Sequence, residues 1–189
     1  MRTGSIRTTG AVVLAAGASS RLGEMKQLVR VGGERLLDRA VRVAQEAGFA
    51  PVVVVLGFGA ERIVSECRLE GVRVVVNEGW AEGMGSSVRA GVEAMGDAAG
   101  IVVMTCDQPA VTAEHLRALV GDGVAGSSYG GKVGVPGYFP TKEFGELLGL
   151  RGDVGARGLL RGARLVELRG GEMDVDTVEG LAVVQVFFE

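Results

Sequence analysis

The sequence is poor in the residues that build metal sites and disulfide frameworks. Its 189 residues include two cysteines and one histidine. Cys67 and Cys106 lie far apart, and neither has a cysteine or histidine at a metal-ligand spacing. This pattern argues against a disulfide framework and a zinc site. Both thiols are expected to be small buried side chains.

Long apolar runs are missing as well. No run approaches the ~20 residues that a membrane-spanning helix needs, and residues 1–10 lack the apolar centre of a secretory signal. We therefore expect a cytoplasmic protein that does not bind membranes, with residues 1–10 as a flexible leader. No internal repeat and no proline- or serine-rich linker interrupts the chain, so residues 1–189 are predicted to form one domain.

Neither sign of charge is in large excess. Twenty basic and 23 acidic residues leave a formal net charge of −3, and the basic residues form no stripe. A large nucleic-acid-binding surface is therefore not expected, whereas binding of a single nucleotide is compatible with this composition. Hydrophobic residues make up 47% of the chain, which argues against disorder and for a sizeable core.

Apolar runs alternate with helical patterns through the first two thirds of the chain. Four short, nearly continuous apolar runs are typical of strands buried on both faces of a parallel sheet: residues 11–16, 52–56, 72–76 and 101–106. Between them, residues 36–47, 60–68 and 86–95 show helical patterns, and Gly48 ends the first of these. Weaker patterns predict strands at 125–129 and 164–168 and helices at 142–148 and 156–161. Residues 178–187 fit either a helix or a strand.

This alternation predicts an α/β fold, doubly wound and Rossmann-like, with a mostly parallel sheet and helices on both faces. Ligands of such sheets bind at the carboxyl ends of the strands. Three chemically interesting segments, residues 15–26, 77–87 and 107–109, each directly follow a predicted strand. We therefore expect them to converge on one crevice.

The segment from Val13 to Lys26 is suited to binding phosphate. Gly17 and Gly23 allow the backbone to approach phosphate oxygens closely, because they have no Cβ. Free backbone N–H groups can then surround the anion, while Arg21 and Lys26 add positive charge. The glycine spacing matches neither a P-loop nor the dinucleotide-binding pattern.

Two acidic positions are candidates for binding a cation. Asp107 follows the strand at 101–106, where a carboxylate is well placed to hold Mg²⁺ together with substrate phosphates. A helix or turn cap is the alternative role for this residue. Asp174 and Asp176 would lie on the same side of an extended segment, and a solvated turn is their alternative.

A glycine-rich segment around Trp80 offers groups that can contact a nucleobase. The turn at residues 83–87 presents N–H and hydroxyl groups suited to the edge of a base. Ser86 could in addition be the N-cap of the next helix. His115 is expected to be a solvated residue in a first helical turn, and it is given no catalytic role.

These segments together resemble a known family. Residues 14–26 match every fixed position of the signature Leu-Ala-Ala-Gly-x-Ser-x-Arg-x-Gly-x-x-Lys of the MobA-like nucleotidyltransferases. Asp107-Gln108-Pro109 resembles the Asp-Gln-Pro of the molybdenum cofactor cytidylyltransferase branch, and residues 77–87 match its Asn-x-x-Trp-x-x-Gly-Met-x-Ser-Ser pattern. Residues 174–177 resemble the start of the family element Asp-Ile-Asp-Thr-Pro-Glu-Asp-Leu, with departures at Val178 and Gly180. Residues 134–136 and 152–157 resemble its Gly-x-Pro and Gly-Asp-x-Gly-Ala-Arg elements.

The resemblance implies a fold similar to nucleotide-diphospho-sugar transferases and assigns roles to individual residues. The implied catalytic residues are Arg21, Lys26 and Asp107. The implied nucleotide-binding residues are Leu14, Ala15, Ala16, Gly17, Ser19, Arg21, Lys26, Asn77, Gly83, Ser86 and Ser87. On the acceptor side the resemblance implies Trp80, Pro136, Asp153 and Arg157, although taken alone Asp153 and Arg157 fit a surface loop with a salt bridge. Asp107 and Asp176 are the implied metal ligands, with Mg²⁺ as the cofactor.

The implied reaction is attack by the terminal phosphate of a molybdenum-bound pterin on the α-phosphorus of CTP, with release of pyrophosphate. Such a phosphate is largely ionised near neutrality, since its second pKa is about 6, so no general base is needed. The resemblance also implies transfer of the product to a molybdenum hydroxylase. Two alternatives stay open: a transferase of the same fold that uses GTP or another phosphorylated acceptor, and a non-catalytic carrier or insertion factor for the finished cofactor.

Overall fold

The computed structural model describes residues 8–188. Strands and helices alternate almost regularly through the first half of this range. The strands are β1 (Thr9–Ala15), β2 (Arg30–Val31), β3 (Glu34–Arg35), β4 (Val52–Leu56), β5 (Arg73–Val76), β6 (Gly100–Thr105), β7 (Ala125–Tyr129), β8 (Lys132–Pro140) and β9 (Arg164–Glu167). The α-helices are α1 (Leu36–Glu46), α2 (Ala60–Glu66), α3 (Met84–Glu93), α4 (Ala113–Leu119), α5 (Phe144–Leu148) and α6 (Val178–Phe188).

Seven strands form the central sheet in the order β5-β4-β1-β6-β8-β7-β9. The four strands from β5 to β6 are mutually parallel. Strand β8 pairs antiparallel with both β6 and β7, and β9 returns parallel to β7. Strands β2 and β3 form a separate small hairpin. The sheet is therefore mostly parallel, as expected, and its chain order reverses on either side of β1.

Hydrophobic cores lie on both faces of this sheet. On one face, residues of α1 and α4 such as Leu37 and Leu116 pack against alternate residues of the central strands. On the other face, Val88 of α3 and Leu147 of α5 pack against the intervening strand residues. The expected doubly wound arrangement, with helices on both faces, is thus confirmed.

Most predicted elements are present with shifted ends, and Gly48 has the positive φ of +82° that ends α1 as expected. Residues 178–188 form a helix, which resolves the ambiguity of the tail. Residues 156–160 form a 3-10 helix instead of an α-helix. The expected burial of the run at 72–76 on both faces is wrong, because β5 is an edge strand and Val76 is 53% exposed.

The flexible leader was predicted to end at residue 10, and this boundary is too late. Thr9 and Gly10 already belong to β1, where they pair with β6. The rest of that prediction concerns residues 1–7, which lie outside the described residues. None of the helices formed by residues 8–188 has the length and apolar character that crossing a bilayer requires.

Candidate active site

A crevice of about 350 Å³ opens above the carboxyl ends of the central strands. It lies where the strand order reverses, with β4 on one side of β1 and β6 on the other. Parallel α/β sheets bind ligands at such a switch point. The three candidate segments do converge here, and the lining residues are Leu14, Ala15, Ala16, Gly17, Lys26, Trp80, Ala81, Gly83, Met84, Ser87, Thr105, Asp107 and Asp153.

Side chains from residues 19–27 hold the loop that follows β1. The buried Gln27 amide nitrogen donates to the carbonyl oxygens of Ala15 and Gly17 at 2.7 and 3.0 Å. Ser19 has a φ of +54°, and its Oγ accepts a hydrogen bond from the N–H of Lys26 at 3.2 Å. The hydroxyl of Ser19 therefore closes the loop onto the segment that carries Lys26.

The same loop presents backbone N–H groups without protein partners. Within the described range, no hydrogen bond uses the N–H of any residue from 16 to 21 as its donor. Unpaired backbone donors are costly unless water or a ligand satisfies them. Successive free N–H groups in a loop with left-handed residues are suited to binding an anion. The geometry thus fits the phosphate-binding role expected from the sequence.

Four charged side chains meet at the floor of the crevice. The Lys26 ammonium donates to Asp107 Oδ2 at 2.5 Å and to Asp176 Oδ1 at 2.9 Å. Arg21 contacts the other oxygen of Asp176, also at 2.9 Å. The Lys26 and Asp107 side chains are only 18% and 11% exposed, whereas Arg21 is 71% exposed. The Lys26 ammonium thereby joins two aspartates that lie 81 and 150 positions further along the chain.

The ion pairs determine how the lysine and Asp176 ionise. Burial is the largest single effect and lowers the pKa of Lys26, but the charge of Asp107 and the hydrogen bonds that Lys26 donates to Asp107 and Asp176 together outweigh it and raise the pKa above its ordinary value. Burial likewise raises the pKa of Asp176, yet hydrogen bonds and charges from Lys26 and Arg21 bring it below its ordinary value. Lys26 is therefore a cation, and Asp176 an anion, at neutral pH.

A second wall is formed by the turn after β5. Asn77 Nδ2 donates to the hydroxyls of Ser86 and Ser87 at 2.8 and 3.1 Å. The Ser86 hydroxyl in turn donates to the carbonyl of Gly83 at 2.8 Å. Ser87 lines the crevice, and within the described residues its hydroxyl hydrogen has no acceptor. Ser87 can therefore donate to a ligand, whereas Ser86 braces the turn.

The expected N-cap role of Ser86 is wrong. Helix α3 begins at Met84, and Gly83 is the N-cap residue. The reason is that Gly83 has a φ of +120°, a conformation that a residue with a side chain rarely adopts. The helix thus starts two residues earlier and places Ser86 in its first turn.

Close packing joins this turn to the loop that carries Asp153. A Cβ on Gly83 would lie 2.4 Å from the carbonyl carbon of Gly152, and the Gly85 N–H donates to the Gly152 oxygen at 2.9 Å. Asp153 thereby reaches the crevice. On the opposite side, the Trp80 ring contacts Phe58 edge to face, with 5.7 Å between ring centroids.

The structure does not bring all four acceptor-side residues together. Trp80 and Asp153 line the crevice, but Pro136 and Arg157 do not. Pro136 is buried, and its carbonyl accepts a hydrogen bond from Ser127 at 2.7 Å. Arg157 lines a separate groove of about 530 Å³ beside β9. Asp153 and Arg157 form no salt bridge with each other in the described part of the chain.

Gln108 links the Asp107 turn to the acceptor-side strands. Its amide nitrogen donates to the hydroxyl of Tyr129 and to the carbonyl of Gly171, both at 3.3 Å. Tyr129 in turn donates to the carbonyl of Val135 at 3.1 Å. These contacts of Gln108 were not predicted from the sequence, where only its position next to Asp107 pointed to a role at the site.

His115 lies in the first turn of α4, as expected, but the expectation that it is solvated is wrong. This residue is only 8% exposed, and its Nε2 lies 2.7 Å from the hydroxyl of Ser127. Since Ser127 donates its own hydrogen to Pro136, His115 must donate through Nε2. Burial lowers the pKa of His115. The prediction that His115 has no catalytic role still fits, because the side chain lies in the interior and does not line the crevice.

Asp107 and Asp176 fit a cation that is also bound by substrate. Both carboxylates contact one ammonium, so a divalent cation could replace it between them. Asp174 is exposed and makes no ion pair within the described residues. No group of three or more His, Cys, Asp or Glu side chains in residues 8–188 could hold a metal. Two carboxylates completed by phosphate oxygens are how Mg²⁺ is commonly held.

Comparison with known proteins agrees with this geometry. Residues 11–169 match the model of the MobA-like NTP transferase domain. The chain belongs to that family. The purine catabolism protein PucB of Bacillus subtilis is 34% identical over 200 residues, which cover 92% of this chain and 94% of that protein. A probable molybdenum cofactor guanylyltransferase of Opitutus terrae is 37% identical over 103 residues, covering 53% of this chain and 48% of that protein.

Solved structures extend this similarity to three dimensions. The structure of Rv0371c from Mycobacterium tuberculosis superposes with a TM-score of 0.84 at 33% identity, covering 96% of this chain and 100% of that chain. A manganese complex of Rv0371c has also been determined, with a TM-score of 0.80, 30% identity, and coverage of 95% of this chain and 98% of that one. This MobA-like transferase therefore shares the fold of these structural relatives over 95–96% of its residues.

Proposed function

We propose that this MobA-like transferase moves CMP from CTP to the terminal phosphate of molybdenum cofactor and releases pyrophosphate. The observation that carries the proposal is the pairing of Lys26 with both Asp107 and Asp176 beneath a loop of free backbone donors. Anion-binding and cation-binding groups therefore lie on adjacent walls of one crevice, as transfer to or from a nucleoside triphosphate requires.

The nucleotide's phosphates would bind the loop after β1. Residues 16–21 supply free N–H groups, and Arg21 and Lys26 supply the positive charge. In the structure both cations contact carboxylates, and their long side chains can exchange a carboxylate oxygen for a phosphate oxygen. Positioning and charge neutralisation are the main contributions a protein makes to this reaction, because an ionised acceptor phosphate needs no base.

Asp107 and Asp176 would hold a divalent cation, which we propose is Mg²⁺. The manganese complex of Rv0371c supports a divalent cation in a relative of this fold. When bound, the cation would neutralise charge on the phosphates of the nucleotide. A backbone hydrogen bond holds the two aspartate segments together: the N–H of Val175, next to Asp176, donates to the carbonyl of Asp107 at 3.1 Å.

CTP is favoured over GTP by the residue at position 16. Ala16 lines the crevice. By family resemblance, guanylyl-transferring members usually have glycine at the matching position. A Cβ there limits how closely a large purine can approach the backbone. Ser87 supplies a hydroxyl donor on the facing wall, and the cytosine ring offers O2 and N3 as adjacent acceptors.

The acceptor would lie on the side of Trp80 and Asp153. The groove at Arg157 begins one residue beyond Asp153, because Val154 lines it. An acceptor larger than the crevice could extend into this groove and place an anionic group near Arg157. The molybdenum cofactor is proposed from the family resemblance and from the guanylyltransferase relative, as is delivery of the product to a molybdenum hydroxylase.

Pyrophosphate release tests the proposal. The purified protein is incubated with Mg²⁺ and molybdenum cofactor, and CTP, GTP, ATP and UTP are compared side by side. We expect release with CTP. Release with GTP alone would refute the base assignment and keep the transfer chemistry, whereas release that requires a different phosphorylated acceptor would refute the acceptor assignment. Binding of cofactor without any release would instead indicate a carrier.

Two substitutions test the metal assignment. Asp107→Asn and Asp176→Asn keep the size of each side chain and remove one negative charge, so turnover should fall by at least about 100-fold if each carboxylate holds the cation. Glu172→Gln is the control, because Glu172 is exposed and is absent from the crevice lining. Full activity in both aspartate variants would refute the assignment.

A further inference from the structure

Gln27 is a fully buried polar side chain directly beneath the loop. It has no exposed surface, and its Nε2 donates to two carbonyls that are two residues apart, those of Ala15 and Gly17. It does not line the crevice, so it does not contact a ligand there. It follows Lys26 directly in the sequence.

The orientation of this amide is fixed. If the amide were flipped, Gln27 Oε1 would face two carbonyl oxygens, which are acceptors like itself. In the orientation found, Oε1 is the buried side-chain atom that lacks a hydrogen-bond partner among the described residues. An unpaired buried acceptor is unfavourable. Gln27 therefore satisfies the loop while one of its own atoms remains unsatisfied.

Because the peptide bond is planar, these contacts also fix the direction in which the N–H groups of the loop point. In a trans peptide, the C=O of one residue and the N–H of the next point in opposite directions. The cis peptides of the described chain lie elsewhere, before Pro51 and Pro136. Because Gln27 holds the carbonyls of Ala15 and Gly17 inward, the N–H groups of Ala16 and Ala18 must point outward.

A third carbonyl is held in the same manner. The oxygen of Ala16 accepts from the N–H of Phe58 at 3.0 Å, so the N–H of Gly17 points away from Phe58. The three carbonyls from Ala15 to Gly17 are thus all bound by the protein. The backbone of this loop can offer a ligand only donors from these peptides, which suits an anion and is unsuited to a cation.

We propose that Gln27 is a positioning residue that turns the N–H groups of Ala16 and Ala18 toward the phosphates of the nucleotide. This inference rests on the proposed function, since it assumes that the loop binds a triphosphate. Without the Gln27 donors, the two carbonyls would be free to rotate, and the peptides could present oxygen atoms to the incoming anion. Gln27 therefore acts on phosphate affinity through the backbone and does not touch the ligand.

Binding of inorganic tripolyphosphate and of cytidine separates this role from a purely structural one. Gln27→Met keeps the length of the side chain and removes both donors. We expect its Kd for tripolyphosphate, measured by calorimetry at fixed ionic strength, to rise at least about tenfold, because two carbonyls lose their partners and the donors lose their direction. Its Kd for cytidine should change less than twofold, since cytidine has no phosphate.

Gln45→Met is the matched control. Gln45 also donates from Nε2 to a backbone carbonyl, that of Glu70 at 3.0 Å, but it is exposed and distant from the crevice lining. Its Kd for tripolyphosphate should equal that of the unmodified protein. An equal Kd in Gln27→Met would overturn the proposal, and so would a parallel loss of cytidine affinity, which would indicate general damage to the site.

A measurement on the unmodified protein keeps the proposal testable if Gln27→Met does not fold. Amide NMR signals of Ala16 and Ala18 should shift on addition of tripolyphosphate, and those of residues around Gln45 should not. Binding without shifts at Ala16 and Ala18 would overturn the role of Gln27 and leave the proposed function standing. Failure of the unmodified protein to bind tripolyphosphate or CTP at all would overturn both.

Discussion

Replacing Lys26 by methionine should destabilise the free protein. The ammonium contacts two carboxylates, and its loss leaves Asp107, which is only 11% exposed, beside Asp176 without a cation between them. Removing one partner of a buried ion pair costs about 3–5 kcal/mol, whereas a surface pair contributes about 0–1 kcal/mol. For this partly exposed cluster we expect a loss of about 3 kcal/mol in the free energy of unfolding.

Thermal unfolding measures this loss. For a chain of this length, about 3 kcal/mol corresponds to a Tm lower by about 6–12 °C. Lys142→Met is the control, because Lys142 is exposed and has no ion pair within the described residues. Added Mg²⁺ should raise the Tm of Lys26→Met more than that of the unmodified protein, since a cation that binds only the folded state stabilises it.

A double-mutant cycle gives the sharper test. If the cost arises from the uncompensated carboxylate, then Lys26→Met together with Asp107→Asn should cost less than the sum of the two single changes. We expect a coupling free energy of at least about 1.5 kcal/mol, as is usual for residues in contact. Additive effects, or a Lys26→Met variant with an unchanged Tm, would refute the reasoning that Lys26 compensates these charges.

Three further predictions follow from the packing and the pKa shifts. Burial raises the pKa of Asp176, but hydrogen bonds and charges from Lys26 and Arg21 outweigh it and lower the pKa below its ordinary value. The ion pairs of Asp176 therefore stabilise the fold above about pH 4, and this stabilisation is lost as the pH falls through the pKa of Asp176 in the folded state. In Asp176→Asn, the free energy of unfolding should decrease less at acidic pH than in the unmodified protein. Burial lowers the pKa of His115, so below about pH 6.5 the unfolded state binds more protons than the folded state and the free energy of unfolding decreases. His115→Gln keeps a donor for Ser127, and its free energy of unfolding should decrease less between pH 7.5 and 5.5 than that of the unmodified protein. Gly83→Ala should cost more than 2 kcal/mol by chemical denaturation, because its Cβ would lie 2.4 Å from Gly152 at a φ of +120°, whereas Gly152→Ala, with open space around its Cβ, should cost about 1 kcal/mol.

The sequence allowed the parallel half of the sheet to be predicted because its strands are uninterrupted. Strand β4 consists of four valines and a leucine, all buried, and needs no tertiary information to be recognised. Since each candidate segment follows such a strand, convergence at the carboxyl ends followed from topology alone. The residues of the crevice floor were therefore identified, whereas their mutual contacts were not.

Strand β8 could not be predicted, because it contains features that argue against a strand. It includes Pro136, and proline is normally absent from an interior strand, since it has no N–H to donate. The structure accommodates this residue by a shift of register in the pairing with β7: Gly126 pairs with Gly137, while Ser127 pairs with Gly134. The two residues between them on β8 are thus passed over by the ladder.

His115 shows why burial of a polar residue is difficult to predict from local sequence. Its helix begins normally with Thr112 as the N-cap, and nothing nearby indicates an interior position. The partner, Ser127, is an inward-facing residue of β7 that is itself fully buried. Only the packing of α4 against the sheet brings the two together, so the interaction depends on tertiary structure.

The departures from ordinary local structure are concentrated in the loop after β1, and this supports the proposed site independently of any resemblance. Within the described residues, Ser19 is the non-glycine residue with positive φ, and Gln27 carries the unpaired buried side-chain atom. The N–H groups of residues 16–21 lack protein partners. Each of these features reduces stability by itself, and folded proteins tend to retain such features where they bind or react. A bound triphosphate would satisfy the free backbone donors, so N–H groups that are unfavourable in the free protein would become favourable contacts in the complex.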